Sequence, residues 1–469
     1  MSRILYTTIN DSVKNASYAV RGRIVARAQE LQKQGKIIIS CNIGNPHSVG
    51  QAPISFIRNV LALVLSPEAK IDGPKDIYTR ANRYISSIPD IGAYTDSQGI
   101  LAVREDVCKF LLERDQHQAF PENIFLTNGA SEAVRLCMQT IIRNSESGHN
   151  DGVLTPIPQY PLYSALSTLL GANLVPYYLD ESNSWNLSTK ILSESLELAK
   201  QNGITTRALV VINPGNPTGQ VLNENTIREI ITWAKKEQIC LMADEVYQEN
   251  IYKDGAKFVS FRKVAFDMNA FEGESSLQLI SFHSVSKGFL GECGFRGGYF
   301  ELLGIPAEVK QEIYKLASIS LCSNTIGQIT TGLMVQPPKV GEESYENYIK
   351  EKNAIMESLK RRAIRLSIGL NELDGVSCNT IDGAMYAFPT ITLPPKAVAV
   401  ASSNGIEPDE MYCMELLEET GIVVVPGSGF KQVEGTFHFR TTILPDEEKI
   451  EMVILKLKEF HEKFLKKYS

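Results

Sequence analysis

The chain reads as an α/β protein, with a mostly parallel sheet sandwiched by helices in a large domain and a smaller α+β domain formed by the N- and C-terminal segments. Three observations predict this. Between about residue 99 and residue 338, short and continuously apolar runs alternate with helical stretches, the pattern of strands buried on both faces. The Pro337-Pro338 break then separates this region from a tail of mixed helices and strands. Finally, 469 residues exceed what one compact core supports.

Taken in order, Val20, Ile24, Ala28 and Leu31 recur at helical spacing between Ser17 and the glycine stop at Gly35, and a short strand over Lys36–Ile43 follows. Prolines, glycine and charge mark Pro67–Asp76 as a surface linker. Helices are expected over 101–114, 131–143, 160–170, 190–201 and 224–237. Strands are expected at Asp151–Thr155, Ala208–Ile212, Ile239–Ala243 and Leu277–Ser281. A long helix from Tyr345 to about Leu373 opens the tail. The expected division is 1–75 as an arm and first part of the small domain, 76–338 as the large domain, and 339–469 as the rest of the small one. There is no internal repeat or low-complexity tract.

The net charge of −7, without a basic stripe, argues against nucleic acid or an anionic membrane surface as partner. No window approaches about 18 uninterrupted apolar residues. The start, Met1-Ser-Arg-Ile-Leu-Tyr6, has neither a secretory apolar core nor a transit pattern, so a cytoplasmic location is expected. The eight cysteines form no CxxC and read as reduced and structural, and the six histidines never pair at helical spacing, so no metal site is expected.

Chemistry concentrates where the apolar runs end. Lys287, in Phe282-His-Ser-Val-Ser-Lys-Gly288, follows one such run together with Ser284 and Ser286, and Arg296 lies nine residues on. Amine, hydroxyls and guanidinium together suit an aldehyde bearing a phosphate, pyridoxal phosphate, held by the lysine as a Schiff base. Asp244 ends another run and needs a cationic partner there; a protonated pyridine nitrogen is one, and a cap on the next turn is the alternative. Asn216 and Tyr247 are placed to reach the ring's phenolic oxygen, although Pro-Gly-Asn-Pro is also an ordinary turn and Tyr247 an ordinary core residue. Ala130 and Ser131 open a helix whose free N–H groups attract phosphate, and a plain helix start accounts for them as well. Tyr160, set between prolines, is placed to stack on the ring. Arg440, among Phe437, Phe439 and Ile443, needs an anion, either a substrate α-carboxylate or one of the chain's own carboxylates; Gly44 lets backbone approach the same group.

Four runs carry a resemblance: Asn42 to Ile54; Phe282-His-Ser-Val-Ser-Lys-Gly-Phe-Leu-Gly-Glu-Cys-Gly-Phe-Arg-Gly-Gly-Tyr299; Val424-Val-Pro-Gly-Ser-Gly-Phe430; and Gly435 to Pro445. From roughly residue 20 to the end, the chain resembles the class I/II pyridoxal-phosphate aminotransferases of fold type I, and among them the alanine-type enzymes. The resemblance implies transamination between L-alanine and 2-oxoglutarate, giving pyruvate and L-glutamate. A glyoxylate-preferring aminotransferase of the same family stays open, as does a pyridoxal-phosphate lyase of the aminocyclopropane carboxylate synthase kind. The resemblance implies Lys287 as imine lysine and proton shuttle, Asp244 as pyridine partner, Asn216 and Tyr247 at the ring oxygen, and Arg440 as carboxylate clamp. It also implies a homodimer with shared active sites, in which Tyr94, in Ala93-Tyr-Thr-Asp-Ser-Gln-Gly99, reaches the phosphate of the neighbouring subunit. Residues 1–19 match nothing in the pattern, and no arginine is assigned to the glutamate side-chain carboxylate.

Overall fold

The computed structural model describes residues 3–18, 22–143 and 147–469. Helix Arg23–Lys33 buries Ile24, Ala28 and Leu31 as their spacing predicts; Val20 lies outside the described residues. The strand expected over 36–43 shrinks to β1 (Ile39–Ser40), because its parallel partner Ile422–Val423 is itself only two residues long.

Seven strands form the large sheet: β2 (Ile124–Thr127), β3 (Asp151–Ile157), β4 (Asn173–Tyr178), β5 (Thr205–Ile212), β6 (Cys240–Asp244), β7 (Leu279–Ser284) and β8 (Gly298–Leu303), in the order β2-β8-β7-β6-β5-β3-β4. Successive side chains of the central strands enter opposite clusters. Leu209, Val211, Leu241 and Ala243 pack on one face, and Val210, Ile212, Met242 and Phe282 on the other. That two-sided burial explains why the runs are continuously apolar.

β2, β4 and β8 have no counterpart among the strands expected at 151–155, 208–212, 239–243 and 277–281. β4 lies at the sheet edge and is only partly buried, so its sequence is not uniformly apolar. β8 follows the glycine-rich stretch Gly294–Gly298, which reads as loop. β8 runs antiparallel to both β2 and β7, whereas the other pairs are parallel. Its beginning therefore lies beside the ends of its neighbours: Gly298 is paired with both Thr127 and Ser284.

The stretch read as a linker over 67–76 gives way at Lys75 to helix Lys75–Ile85, where Asp76 accepts hydrogen bonds from the backbone N–H and hydroxyl of Ser344. Helix Ser55–Leu65, expected with the small domain, packs instead with Ile124, Leu126, Val285 and Tyr299 of the large sheet region; its buried Phe56, Ile57, Val60, Leu61, Leu63 and Val64 need that larger apolar surface. Helix Tyr345–Asn371 spans both regions, with Tyr348 in this cluster and Leu359, Ala363, Leu366 and Leu370 in the next.

The tail contributes β9 (Val376–Ser377), β10 (Tyr386–Ala387), β11 (Thr390–Ile391), β12 (Ile422–Val423), β13 (Val425–Pro426) and β14 (Phe439–Thr442). β14, which carries Arg440, is only four residues long, and all four are buried because β10 and β13 flank it on both sides. Through β1 and β12 the N-terminal segment joins this layer. Among the described residues no helix is long and apolar enough to cross a membrane, and no His/Cys/Asp/Glu group is arranged to hold a metal ion.

Candidate active site

In a parallel sheet, ligand chemistry collects beyond the carboxyl ends of the strands. Here β2, β3, β5, β6 and β7 end at one edge, and the reversed β8 begins there. A cavity of about 670 Å³ opens at that edge. Gly44, Ala130, Ser131, Tyr160, Asn216, Asp244, Tyr247, Ser284, Ser286, Lys287, Arg296 and Arg440 all line it. Of the residues singled out from sequence, only Tyr94 lies elsewhere, with 75% of its surface exposed.

Each side chain reaches the cavity for a local reason. Gly129 caps helix Ala130–Ile141 with φ of 78°, a left-handed conformation that favours glycine, and no side chain caps the helix there. A Cβ on Gly129 would also stand 2.7 Å from Nη2 of Arg296. The Arg296 guanidinium is tied to the carbonyls of Cys293 (2.9 Å) and Asn128 (3.0 Å), which orients it beside the helix start. With Ser284 and Ser286, this makes a cradle of donors suited to an anion.

Asp244 ends β6 and is almost fully buried. Tyr163 donates a 2.8 Å hydrogen bond to its Oδ2, while its Oδ1 is buried without a partner among the described residues. Burial dominates and lifts this carboxyl above the usual range, against the opposing effects of Tyr163, the Val246 N–H and the Lys287 charge. An unpartnered oxygen on a buried carboxylate calls for a cationic ligand. It does not cap a turn through that atom.

Nζ of Lys287 donates to the carbonyl of Gly44 at 2.9 Å. Gly44 is required by close approach: a Cβ there would overlap the hydroxyl of Tyr386 and stand 3.0 Å from Nζ of Lys287. Arg440 is 2% exposed, donates to the carbonyl of Asn42 (2.6 Å) and Oδ1 of Asn216 (3.3 Å), and keeps Nε unpartnered. Its guanidinium lies 4.2 Å from the ring centre of Tyr386 and 4.7 Å from that of Phe430. Among the described residues its partners are thus neutral acceptors and aromatic faces rather than a carboxylate, which leaves its charge for a ligand anion.

Four cavity residues or neighbours are not assigned to the site by the sequence. Tyr386 accepts a 3.4 Å hydrogen bond from Tyr247. Burial alone would push its phenol up, but the cations of Lys287 and Arg440, aided by Tyr247, outweigh burial and hold it below the ordinary phenol range. Cys293, read as structural, lines the cavity and donates its thiol to the carbonyl of Ser286 (3.1 Å). Tyr18 meets Tyr160 hydroxyl to hydroxyl at 3.0 Å. Tyr163 holds Asp244 as described. Of these, Tyr163 alone carried a local signal, since it follows Tyr160 at helical spacing.

The arrangement offers an amine, an unpartnered carboxylate oxygen, an anion cradle and a separate buried guanidinium within one cavity. A family model, "Aminotransferase class I and II", matches residues 67–457. The chain belongs to the class I and II aminotransferases. It is 51% identical over 477 residues to alanine aminotransferase 2 of Panicum miliaceum, covering 98% of each protein. Glutamate–glyoxylate aminotransferase 2 of Arabidopsis thaliana is 50% identical over 471 residues, which cover 99% of this chain and 97% of that one. Among solved structures, alanine aminotransferase from Pyrococcus furiosus superposes with a TM-score of 0.78 at 25% identity, covering 97% of this aminotransferase and 100% of that chain. Aminotransferases of this family depend on pyridoxal phosphate, and the cavity's donor set fits that group: the open Asp244 oxygen matches a ring cation, the cradle a phosphate, and the Lys287 amine an aldehyde.

Proposed function

We propose that this enzyme exchanges the amino group of L-alanine with 2-oxoglutarate, giving pyruvate and L-glutamate, and that pyridoxal phosphate is its cofactor. The observation that carries the reading is the presence, in one cavity, of Lys287, an oxygen of Asp244 without a partner among the described residues, and Arg440 without an ion pair among them. Near-full-length identity of 45–51% to several proteins named alanine aminotransferase supports the donor.

In this reading Ala130, Ser131, Ser284, Ser286 and Arg296 hold the phosphate, Tyr160 stacks on the ring, and Asn216 and Tyr247 hold the ring oxygen. The cofactor supplies an aldehyde carbon for the Lys287 amine and, with its ring nitrogen kept protonated by Asp244, a sink for the electrons left at the substrate α-carbon. Arg440 grips the α-carboxylate through its planar fork, with the open backbone at Gly44 alongside. With its amine free, Lys287 would take the proton from the substrate α-carbon and deliver it to the cofactor's aldehyde-derived carbon two bonds away, a task that requires reach to both carbons. Donor and acceptor use the same cavity in turn, so ping-pong kinetics follow. A homodimer supplies the partner subunit's Tyr94 to the phosphate.

Glyoxylate is the second acceptor to weigh, because two relatives at 50% identity are named glutamate–glyoxylate aminotransferases. Glyoxylate carries a hydrogen where pyruvate carries a methyl, a difference of only about 1–3 kcal/mol in such a pocket, so a site that exchanges with pyruvate has little means of rejecting it. The deciding experiment loads the protein with pyridoxal phosphate and follows its visible absorption band. The band should form, bleach on adding L-alanine, and return with 2-oxoglutarate. A colourless protein refutes the cofactor, a band indifferent to L-alanine refutes the donor, and faster return with glyoxylate refutes the acceptor.

A further inference from the structure

Helix Pro161–Leu169 carries two tyrosines to the site from one short element. Tyr160, at its cap, lines the cavity, whereas Tyr163, one turn on, is fully buried behind it. Among the described residues, Tyr163 is the one side chain that donates to Asp244, at Oδ2. The carboxylate is therefore divided, with Oδ2 committed to a protein donor and Oδ1 buried and unpartnered among the described residues, in a residue that lines the cavity.

We propose that Tyr163 is a positioning residue for Asp244: by occupying Oδ2 it fixes Oδ1 toward the cofactor's ring nitrogen, and it keeps the carboxylate ionised so that the ring holds the proton. The inference rests on the reading of the cavity as a pyridoxal-phosphate site. Its physical basis is the asymmetry of the phenol's interaction. A hydroxyl donating to a carboxylate stabilises the charged acid far more than the neutral one. Burial pushes Asp244 the other way, toward protonation. Of the chain's own groups that oppose burial, the Lys287 ammonium would give up its charge on joining the aldehyde carbon, which would leave the hydrogen bonds from the Tyr163 hydroxyl and the Val246 N–H. A protonated Asp244 has no charge to offer a ring cation. The hydroxyl at 163 thus decides which of two sites carries one proton.

The test replaces the hydroxyl while keeping the ring. In Tyr163→Phe the dissociation constant for pyridoxal phosphate should rise about 10- to 100-fold, the loss of one hydrogen bond to a charged group. The acid limb of the pH dependence of binding should move toward neutrality by about one unit or more. A purely structural role would lower affinity at all pH values equally. The same change made in an Asp244→Asn background should alter affinity by less than about threefold, because the amide cannot ionise and the two effects are coupled through one carboxylate. Equal losses in both backgrounds, or an unmoved acid limb, overturn the proposal. If Tyr163→Phe does not fold, 3-fluorotyrosine at position 163, a more acidic phenol of nearly the same shape, should move the limb to lower pH; no movement overturns the proposal equally. A wild-type protein without a visible band overturns this proposal and the cofactor reading together, whereas a normal band with an unmoved limb overturns only the role of Tyr163.

Discussion

Replacing Arg440 by Lys isolates what a planar fork contributes beyond a positive charge. Two of the arginine's N–H groups are anchored, on the carbonyl of Asn42 at 2.6 Å and on Oδ1 of Asn216 at 3.3 Å, and the rings of Tyr386 and Phe430 hold its plane. The anchored groups aim the rest at the cavity. A lysine ammonium has three donors and no plane, so it cannot satisfy the two neutral acceptors and still offer a paired contact to a carboxylate. Losing one hydrogen bond to a charged group costs about 1.5–3 kcal/mol, or about 10- to 150-fold in kcat/KM. The assay is steady-state turnover with L-alanine and 2-oxoglutarate, repeated with glyoxylate and with ethylamine, a donor without a carboxylate. Both acids should suffer alike and the slow reaction of ethylamine should be unchanged. The reasoning is refuted by values within about twofold of wild type, or by a loss that ethylamine shares.

Gly44→Ala should lower turnover by at least about tenfold, since the new methyl overlaps the Tyr386 hydroxyl and crowds the Lys287 amine; kinetics and a crystal structure of the variant check it, and unchanged turnover refutes it. Glu245, on the far side of the β6 end from Asp244, is pushed up to about 8 by burial, from an ordinary 4.5. The folded protein then holds a proton that the unfolded chain releases between those values, so stability falls as pH rises from about 4.5 to about 8. Glu245→Gln, which keeps an acceptor for the Phe261 N–H, should flatten that slope, and the stabilisation of the variant over wild type should grow to about pH 8 and then level off in denaturant titrations of the cofactor-free protein. A gap that does not widen refutes it. Tyr94→Phe should loosen cofactor retention about 10-fold without altering the fold. Mixed dimers with Lys287→Ala test whether the loss belongs to the neighbouring site, and loss confined to the subunit carrying the change refutes the shared-site reading.

The sheet was legible because burial on both faces forces its central strands to be apolar throughout, and the polar residues that follow Ile212, Ala243 and Phe282 therefore stand out. The site was legible for the same reason, since parallel strands bring their ends to one edge. Arg296 arrives there by a different route that sequence did not disclose, through the reversal of β8, whose glycine-rich approach resembles a loop. Tyr386 and Cys293 lie in segments of two or three residues of regular structure, too short for periodicity to mark a face. Tyr94 was named only through resemblance, and nothing in its exposed setting within one chain contradicts or completes that role.

The bond between Arg440 and the carbonyl of Asn42 joins positions 398 residues apart, and β1 pairs with β12 across a similar interval. As the polypeptide leaves the ribosome, the large sheet from β2 to β8 emerges complete while the clamp for the acid still waits for its second half. Truncated translation products that end after β8 therefore lack the acid's clamp, whatever else of the edge they form.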